Sequence, residues 1–413
     1  MNIKEKYKLE YNFLIYLIGK CISAGAILCS VPLFINLFGI ASYGKFVFLY
    51  TTFLMLFSGA SSWINQGILR FFTLEKNKNR LLKEINQLSF NSFLIATAVL
   101  VVIFYFFNTS LYIIVTAILS LYFSINYSVN LCIRQSEFAS KEFIIADTIR
   151  AIVYILTPLV IHYSKLNLDS TFVLFLAVLL SYVFGGLFLS GKLFYKAKLS
   201  FKKSRWSTIF LKYGMPLSFW IMFSPTTNVV DRYVIEFTLG SIALAKFSAV
   251  FDIVFKLFSN LAVPFNNIVQ PMLIKSYNDK NAFEYKKTMI KAIGYISLIF
   301  LVFAIAMSLL KEIIICNFLN FCNYQDYISK LFFPLLISSY LWQISILLQK
   351  NLEASNRTVE MTIYMLLVVV FVAATGFFLV PKYGLIASSY ISLASALIYF
   401  ILILYGTKKY FNL

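Results

Sequence analysis

Twelve apolar runs, each at least 21 residues long and separated by short polar connections, tightly constrain how this chain can fold. They cover approximately 11–38, 45–70, 85–107, 110–133, 143–163, 168–191, 212–237, 241–272, 287–310, 328–350, 358–380 and 383–406. A helix needs about 20 apolar residues to cross the hydrocarbon of a bilayer, and every run meets that length. Charge agrees. Only 13% of residues are charged and the mean hydropathy is +0.81, whereas a water-facing surface demands roughly 25%. The expected fold is an all-α integral membrane protein of about twelve transmembrane helices. Lys4, Lys6 and Lys8 lead straight into the first run, which is too long for the core of a cleavable signal and reads as a spanning helix.

Orientation follows from the basic residues. Of the 36 lysines and arginines, 25 fall in the termini and in the connections after even-numbered runs. Five (Lys45, Lys165, Lys311, Lys330 and Lys382) fall on the opposite side, and the other six lie within or at the edges of spans. Cytoplasmic loops carry the excess of Lys and Arg, so both termini are expected in the cytoplasm of a bacterial inner membrane. This topogenic role also explains most of the +19 net charge, and nucleic acid is not an expected partner.

The chain repeats itself. Gly39-Ile40-Ala41-Ser42-Tyr43-Gly44-Lys45-Phe46 opens the second run, and Gly240-Ser241-Ile242-Ala243-Leu244-Ala245-Lys246-Phe247 opens the eighth, 201 residues later. Gln66-Gly67-Ile68-Leu69 and Gln270-Pro271-Met272-Leu273 close the same two runs. Six runs per half is an even number, so the halves share one topology and relate by an axis along the membrane normal. The expected lobes are 1–200 and 201–413, divided at the basic loop from Lys192 to Lys212.

Bond-making chemistry finds little support. His162 is the only histidine, which excludes a multi-histidine metal site. Gly186–Leu193 nearly spells a phosphate-binding loop but lacks its final Ser/Thr and sits at a membrane helix end. The longest outer connection, Lys311–Asp326, offers Glu312 and Asp326 without an acid/base constellation. No cofactor is expected. Cys316 and Cys322 share that connection and can pair if it faces an oxidising compartment.

Charges inside the spans carry the functional signal, because each costs about 2.5–3.5 kcal/mol at a helix centre unless partnered or wet. Asp252 and Lys256 are four apart and share a helix face; they form a neutralised pair, a coupling site or a packing contact. Asp231 and Arg232 are adjacent, about 100° apart on a helix, so each wants its own partner. Trp220, Ser224, Asn228 and Asp231 recur at helical spacing beside Pro225, the pattern of a kinked cavity wall or of a buried polar network. Asp147 and Arg150 can pair locally, and snorkelling suffices for them near the cytoplasmic end. Lys20 lies deeper, with Tyr16 and Ser23 on its face; it snorkels, pairs internally or meets an anionic headgroup.

Several segments resemble one family. Tyr213-Gly214-Met215-Pro216-Leu217, Asp231-Arg232-Tyr233-Val234-Ile235, Gly240 and Phe247-Ser248 are similar to the start of the C-terminal half of polysaccharide transporters of the multidrug/oligosaccharidyl-lipid/polysaccharide (MOP) superfamily. Phe38–Gly44, Gly67-Ile68-Leu69-Arg70-Phe71 and Pro381-Lys382-Tyr383-Gly384-Leu385-Ile386-Ala387 extend the resemblance along nearly the whole chain. It implies a Wzx-type O-antigen flippase with two six-helix pseudo-symmetric lobes around a central cavity. The implied substrate is an undecaprenyl-pyrophosphate-linked oligosaccharide, moved with ion or potential coupling and with polymerase and chain-length machinery as possible contacts. Carried over loosely, the cavity cations are Lys20, Arg70, Arg150, Arg232 and Lys256; the coupling and cavity-lining residues are Asp147, Asn228, Asp231 and Asp252. A drug or cation antiporter of the same superfamily is the alternative within transport. A membrane-bound polymerase or glycosyltransferase is the alternative of another class.

Overall fold

Each apolar run forms helix because a backbone in hydrocarbon must satisfy its own hydrogen bonds. The computed structural model describes residues 25–26, 28–72, 75, 77–137, 139–189, 205–279, 281–355 and 357–408, and all its regular elements are helical. They are α1 (Leu28–Phe38), then α2 (Ile40–Phe71), α3 (Lys78–Phe106), α4 (Leu111–Ser136), α5 (Ser140–Tyr163), α6 (Ser170–Leu189) and α7 (Arg205–Leu239). After these come α8 (Ser241–Phe251), a π turn (Asp252–Lys256), α9 (Leu257–Asn278), α10 (Ala282–Ile313), a second π turn (Ile314–Phe318), a 3-10 turn (Cys322–Tyr324), α11 (Gln325–Leu348), the short α12 (Lys350–Ala354), α13 (Thr358–Tyr383) and α14 (Leu385–Lys408).

Among the described residues, nine of these helical stretches are long and apolar enough to cross a membrane. Each of the twelve runs of the sequence has a helical counterpart among the described residues, the first (11–38) only in its last part, since residues 11–24 lie outside them. The three outside the nine are α1, α7 and the stretch from α8 to α9. The last is a single run in the sequence, and the π turn interrupts it. Large apolar side chains such as Tyr105, Phe106 and Leu309 are about three-quarters exposed, as suits helices that face lipid.

The internal repeat is visible in backbone detail. Gly39 precedes α2 and Gly240 precedes α8, each with φ +82°, a region that side chains with a Cβ rarely enter. Each glycine carbonyl accepts the N–H four residues on, from Tyr43 and from Leu244. The next helix of each half is capped alike: the Asn77 side chain accepts from the Arg80 N–H and the Asn281 side chain from the Glu284 N–H. Such caps satisfy N–H groups that a helix start leaves open.

Contacts divide the chain into two compact units. The first holds Leu37–Pro225 and the described residues before Val31; the second holds Val31–Asn36 and Thr226–Leu413. From the sequence the division falls at 200/201, whereas contacts place it at 225/226, inside α7. The reason lies in packing. The first half of α7 lies against α2: a Cβ at Gly214 would collide with the Trp63 backbone, and one at Gly67 with the Phe210 ring. Small residues let membrane helices approach this closely, and Phe210 completes a buried cluster with Trp63, Ile64, Ile68, Leu81, Ile85 and Ile133. In the second unit α11 is central, with Leu331, Leu335 and Leu347 fully buried and Trp342 stacked on Tyr399 of α14 at 5.2 Å.

Candidate functional site

Two neighbouring charges on α7 turn to different partners, as their angular separation requires. Arg232 donates from Nη2 to Oδ1 of Asp252 at 3.2 Å. The same Asp252 oxygen lies 2.7 Å from the Lys256 ammonium. One carboxylate therefore serves two cations, and the trio taken by itself carries a formal charge of +1, next to the Asp231 carboxylate. Arg232 and Asp252 are buried, at 4% and 8% exposure, while the Lys256 side chain is about one-third exposed.

Two of the three, Asp252 and Lys256, sit on an irregular piece of backbone. Residues Asp252–Lys256 are themselves the π turn between α8 and α9. A π turn shifts hydrogen bonding from i→i+4 to i→i+5 and is frequent at functional sites. Phe251 and Phe255 stack at 4.6 Å across its start, and the Arg232 guanidinium lies 5.8 Å from the Phe251 ring centre. Cation and aromatic face at that range attract.

Asp231 opens onto a cleft within the second unit. Its walls are Thr227, Asn228 and Asp231 of α7, Phe251 and Phe255, Ser338 and Trp342 of α11, Val372 of α13, and Ser392 and Ser395 of α14. The Ser338 hydroxyl donates to the Ser392 carbonyl at 2.9 Å and ties two walls together. Asp231 is 5% exposed, the Ser388 hydroxyl lies beside it, and its Oδ1 makes no hydrogen bond among the described residues. One carboxylate among neutral hydroxyl and amide oxygens can hold a proton or a small hard cation. No group of three or more His, Cys, Asp or Glu suited to a metal occurs among the described residues. Behind the cleft, Gln343 of α11 donates to Ser259 at 3.0 Å and accepts from Asn266 at 3.3 Å.

The first unit holds a second ion cluster of different character. Arg150 meets Asp147 through Nε at 3.0 Å and Nη2 at 2.9 Å. Tyr127 donates its hydroxyl to the same carboxylate at 3.3 Å. The guanidinium carbon lies 6.0 Å from the Tyr127 ring centre and 5.6 Å from that of Tyr182. Asp147 is buried at 4% exposure, while the Arg150 side chain is 24% exposed; the local pairing expected from the spacing is present, with two buried tyrosines beside it. A Cβ at Gly185 would stand 2.9 Å from Tyr127 and 3.3 Å from Arg150, so the cluster is closed on that side as well.

The remaining candidates lie apart. Arg70 is exposed in the last turn of α2, 5.8 Å from the Phe71 ring centre, where a cation suits the helix C-terminus. Lys20 lies outside the described residues. Of the polar stripe on α7, Asn228 and Asp231 line the cleft, while Trp220 and Ser224 belong to the first unit; α7 runs as one helix from Arg205 to Leu239. Sequence reasoning missed Tyr127, Tyr182 and Ser388. Tyrosines and serines are common in these spans, so nothing in their spacing singled them out.

Comparison with solved structures identifies this arrangement of helices. The chain is similar to the lipid II flippase MurJ in its inward closed conformation, with a TM-score of 0.70 and 16% identity over 98% of this chain and 88% of that one. An inward-facing multidrug resistance MATE transporter of the MOP superfamily matches with a TM-score of 0.66 and 15% identity, covering 95% and 94% of the two chains. A MOP superfamily transporter from Pyrococcus furiosus, described as having a binding pocket of reverse polarity, matches at 0.67 and 12% over 96% and 95%. At these identities the likeness is one of fold. No family model and no curated sequence matches the chain.

Proposed function

We propose that this chain is a flippase carrying an undecaprenyl-pyrophosphate-linked oligosaccharide, an O-antigen or capsule repeat unit, from the cytoplasmic to the periplasmic leaflet of a bacterial inner membrane. The observation that carries the reading is the Arg232–Asp252–Lys256 trio, with two cations on one acid in a span where unpaired charge is expensive. Two cations gathered on one carboxylate suit an anionic headgroup. Asp252 acts as a resident anion: an arriving diphosphate displaces it from the more exposed Lys256, while Arg232 stays buried and holds the carboxylate. Differential affinity of two conformations for the loaded and empty site then drives alternating access. The chemistry is binding and release, with no bond made or broken. The fold shared with a protein described as a lipid II flippase supports the same class of cargo.

Asp231 is the residue we assign to coupling. It faces the cleft with neutral oxygens around it and can exchange a proton or a small cation as the cleft opens. The same residue favours a second reading, a drug or cation antiporter, in which the acid in the cleft receives a cationic substrate; the MATE-like fold suits this too. Contact with polymerase and chain-length machinery belongs to the first reading alone.

Surface polymer in a host lacking its own flippase separates the two. Restored O-antigen or capsule supports the flippase, and loss of restoration in a well-expressed Arg232→Ala variant places the trio in the transport cycle. Drug resistance gained without polymer assigns the antiporter instead.

A further inference from the structure

At one end of the second unit, the turn between α10 and α11 does more than connect two helices. Cys316 and Cys322, six residues apart, are joined in a disulfide. Cys322 is exposed and Cys316 half-buried, so a redox partner can reach the bond. Three contacts radiate from the closed turn. Asn320 donates to the Asn36 side chain at 2.7 Å. The Tyr324 ring lies under the Lys246 ammonium of α8, 3.0 Å from the ring centre. The Tyr327 hydroxyl accepts the backbone N–H of Leu385, the first residue of α14, at 2.8 Å. Gly384, at φ +65°, makes room for it: a Cβ there would stand 2.5 Å from that hydroxyl.

These partners share one side of the bilayer. Asn36 is in the last turn of α1, Lys246 is in the second turn of α8 and Leu385 starts α14. By the Lys/Arg distribution all three turns lie on the side poor in basic residues, opposite the cytoplasm. That side is the oxidising one in bacteria.

We propose that Cys316 and Cys322 are an oxidation site on the periplasmic face, whose disulfide holds the α10–α11 turn as a clasp over the ends of α1, α8 and α14. The two thiols give up two protons and two electrons as the S–S bond forms. The acceptor is the disulfide of a periplasmic thiol–disulfide oxidoreductase, which is reduced to its dithiol. Closing the short loop restricts the unfolded turn and presents Asn320, Tyr324 and Tyr327 to their partners already ordered. The inference stands on the side of the membrane and the contacts, independent of the cargo.

Tryptic peptide mass reads the site directly. Cleavage after Lys311 and Lys330 releases Glu312–Lys330, which holds both cysteines. From an ordinary host the unreduced peptide should be lighter than its reduced form by two hydrogen atoms and inert to iodoacetamide. From a host lacking the periplasmic oxidant it should take up two alkyl groups. Two free thiols in the peptide from the ordinary host would overturn the proposal. Melting of the purified full chain reads the clasp. Reductant and the Cys316→Ser/Cys322→Ser double variant should each lower the transition by about 2–4 °C. Tyr327→Phe should lower it less, and should add little to the double variant. An unchanged transition on complete reduction would overturn the clasp, whatever the transport assays return.

Discussion

The two ion clusters are built from the same side-chain chemistry and come to different ends. In the first unit one acid meets one arginine, and Tyr127 and Tyr182 close around them. In the second, one acid on a π turn serves two cations, Lys256 of the same turn and Arg232 of α7, next to a polar cleft that a second acid faces. The first cluster pairs one acid with one arginine beside two buried tyrosines, with the Arg150 side chain 24% exposed, and a buried charge needs such a partner. The second gathers two cations on one carboxylate beside an acid-lined cleft, with a lysine about one-third exposed and an irregular backbone, the features on which the proposed anion capture rests. The shared carboxylate and the irregular backbone separate them better than burial, since Asp147 and Asp252 are both under a tenth exposed.

The sharpest test of the contrast is Asp252→Asn. It leaves Arg232 and Lys256 without their carboxylate, a loss that costs about 3–5 kcal/mol for a buried ion pair, and surface polymer should collapse even after correction for expression. Asp147→Asn should cost a similar order of stability in the first unit, read as a lower melting temperature. The protein that still inserts should transport at near the normal rate per molecule. If Asp147→Asn abolished transport without changing melting, the enclosed cluster would be functional too and the contrast would fail.

Adjacent glycines on α6 provide a finer probe of enclosure. Gly185→Ala pushes a methyl between Tyr127, the Ala146 carbonyl and Arg150 and should destabilise by about 1–3 kcal/mol. Gly186→Ala meets nothing within 4 Å and should be neutral or stabilising by about 0.5–1 kcal/mol through helix propensity. Equal melting temperatures for the two variants would mean the cluster is looser than its geometry. The smallest stability change belongs to Lys256→Gln: its side chain is 34% exposed and Arg232 still holds Asp252, so less than about 1 kcal/mol is expected. Transport should nonetheless fall severalfold, and unaltered transport would move anion capture elsewhere.

Much of this molecule was legible from local chemistry. Apolar length predicted the helices, because hydrocarbon offers a backbone no other partner. The glycine repeat predicted equivalent helix starts, and Gly39 and Gly240 share the same φ because the same turn precedes α2 and α8. Spacing put Asp252 and Lys256 on one face and denied Asp231 and Arg232 a mutual pair. The partner of Arg232 was out of reach: it lies 20 residues away on another helix, and no periodicity links the two. The tyrosines around Arg150 and Ser388 beside Asp231 were equally hidden, since each arrives from a separate helix.

The sequence by itself determined that the chain spans a membrane in two repeated halves, and which few positions carry charge into hydrocarbon. These are properties of single residues and of their spacing along one helix, where solvation and the 3.6-residue period suffice. Only the tertiary structure decided which charges neutralise each other, where the helix widens into a π turn, and which acid is left facing a cleft. Those outcomes depend on side chains brought together from distant helices, and they are settled by packing, which no single helix contains.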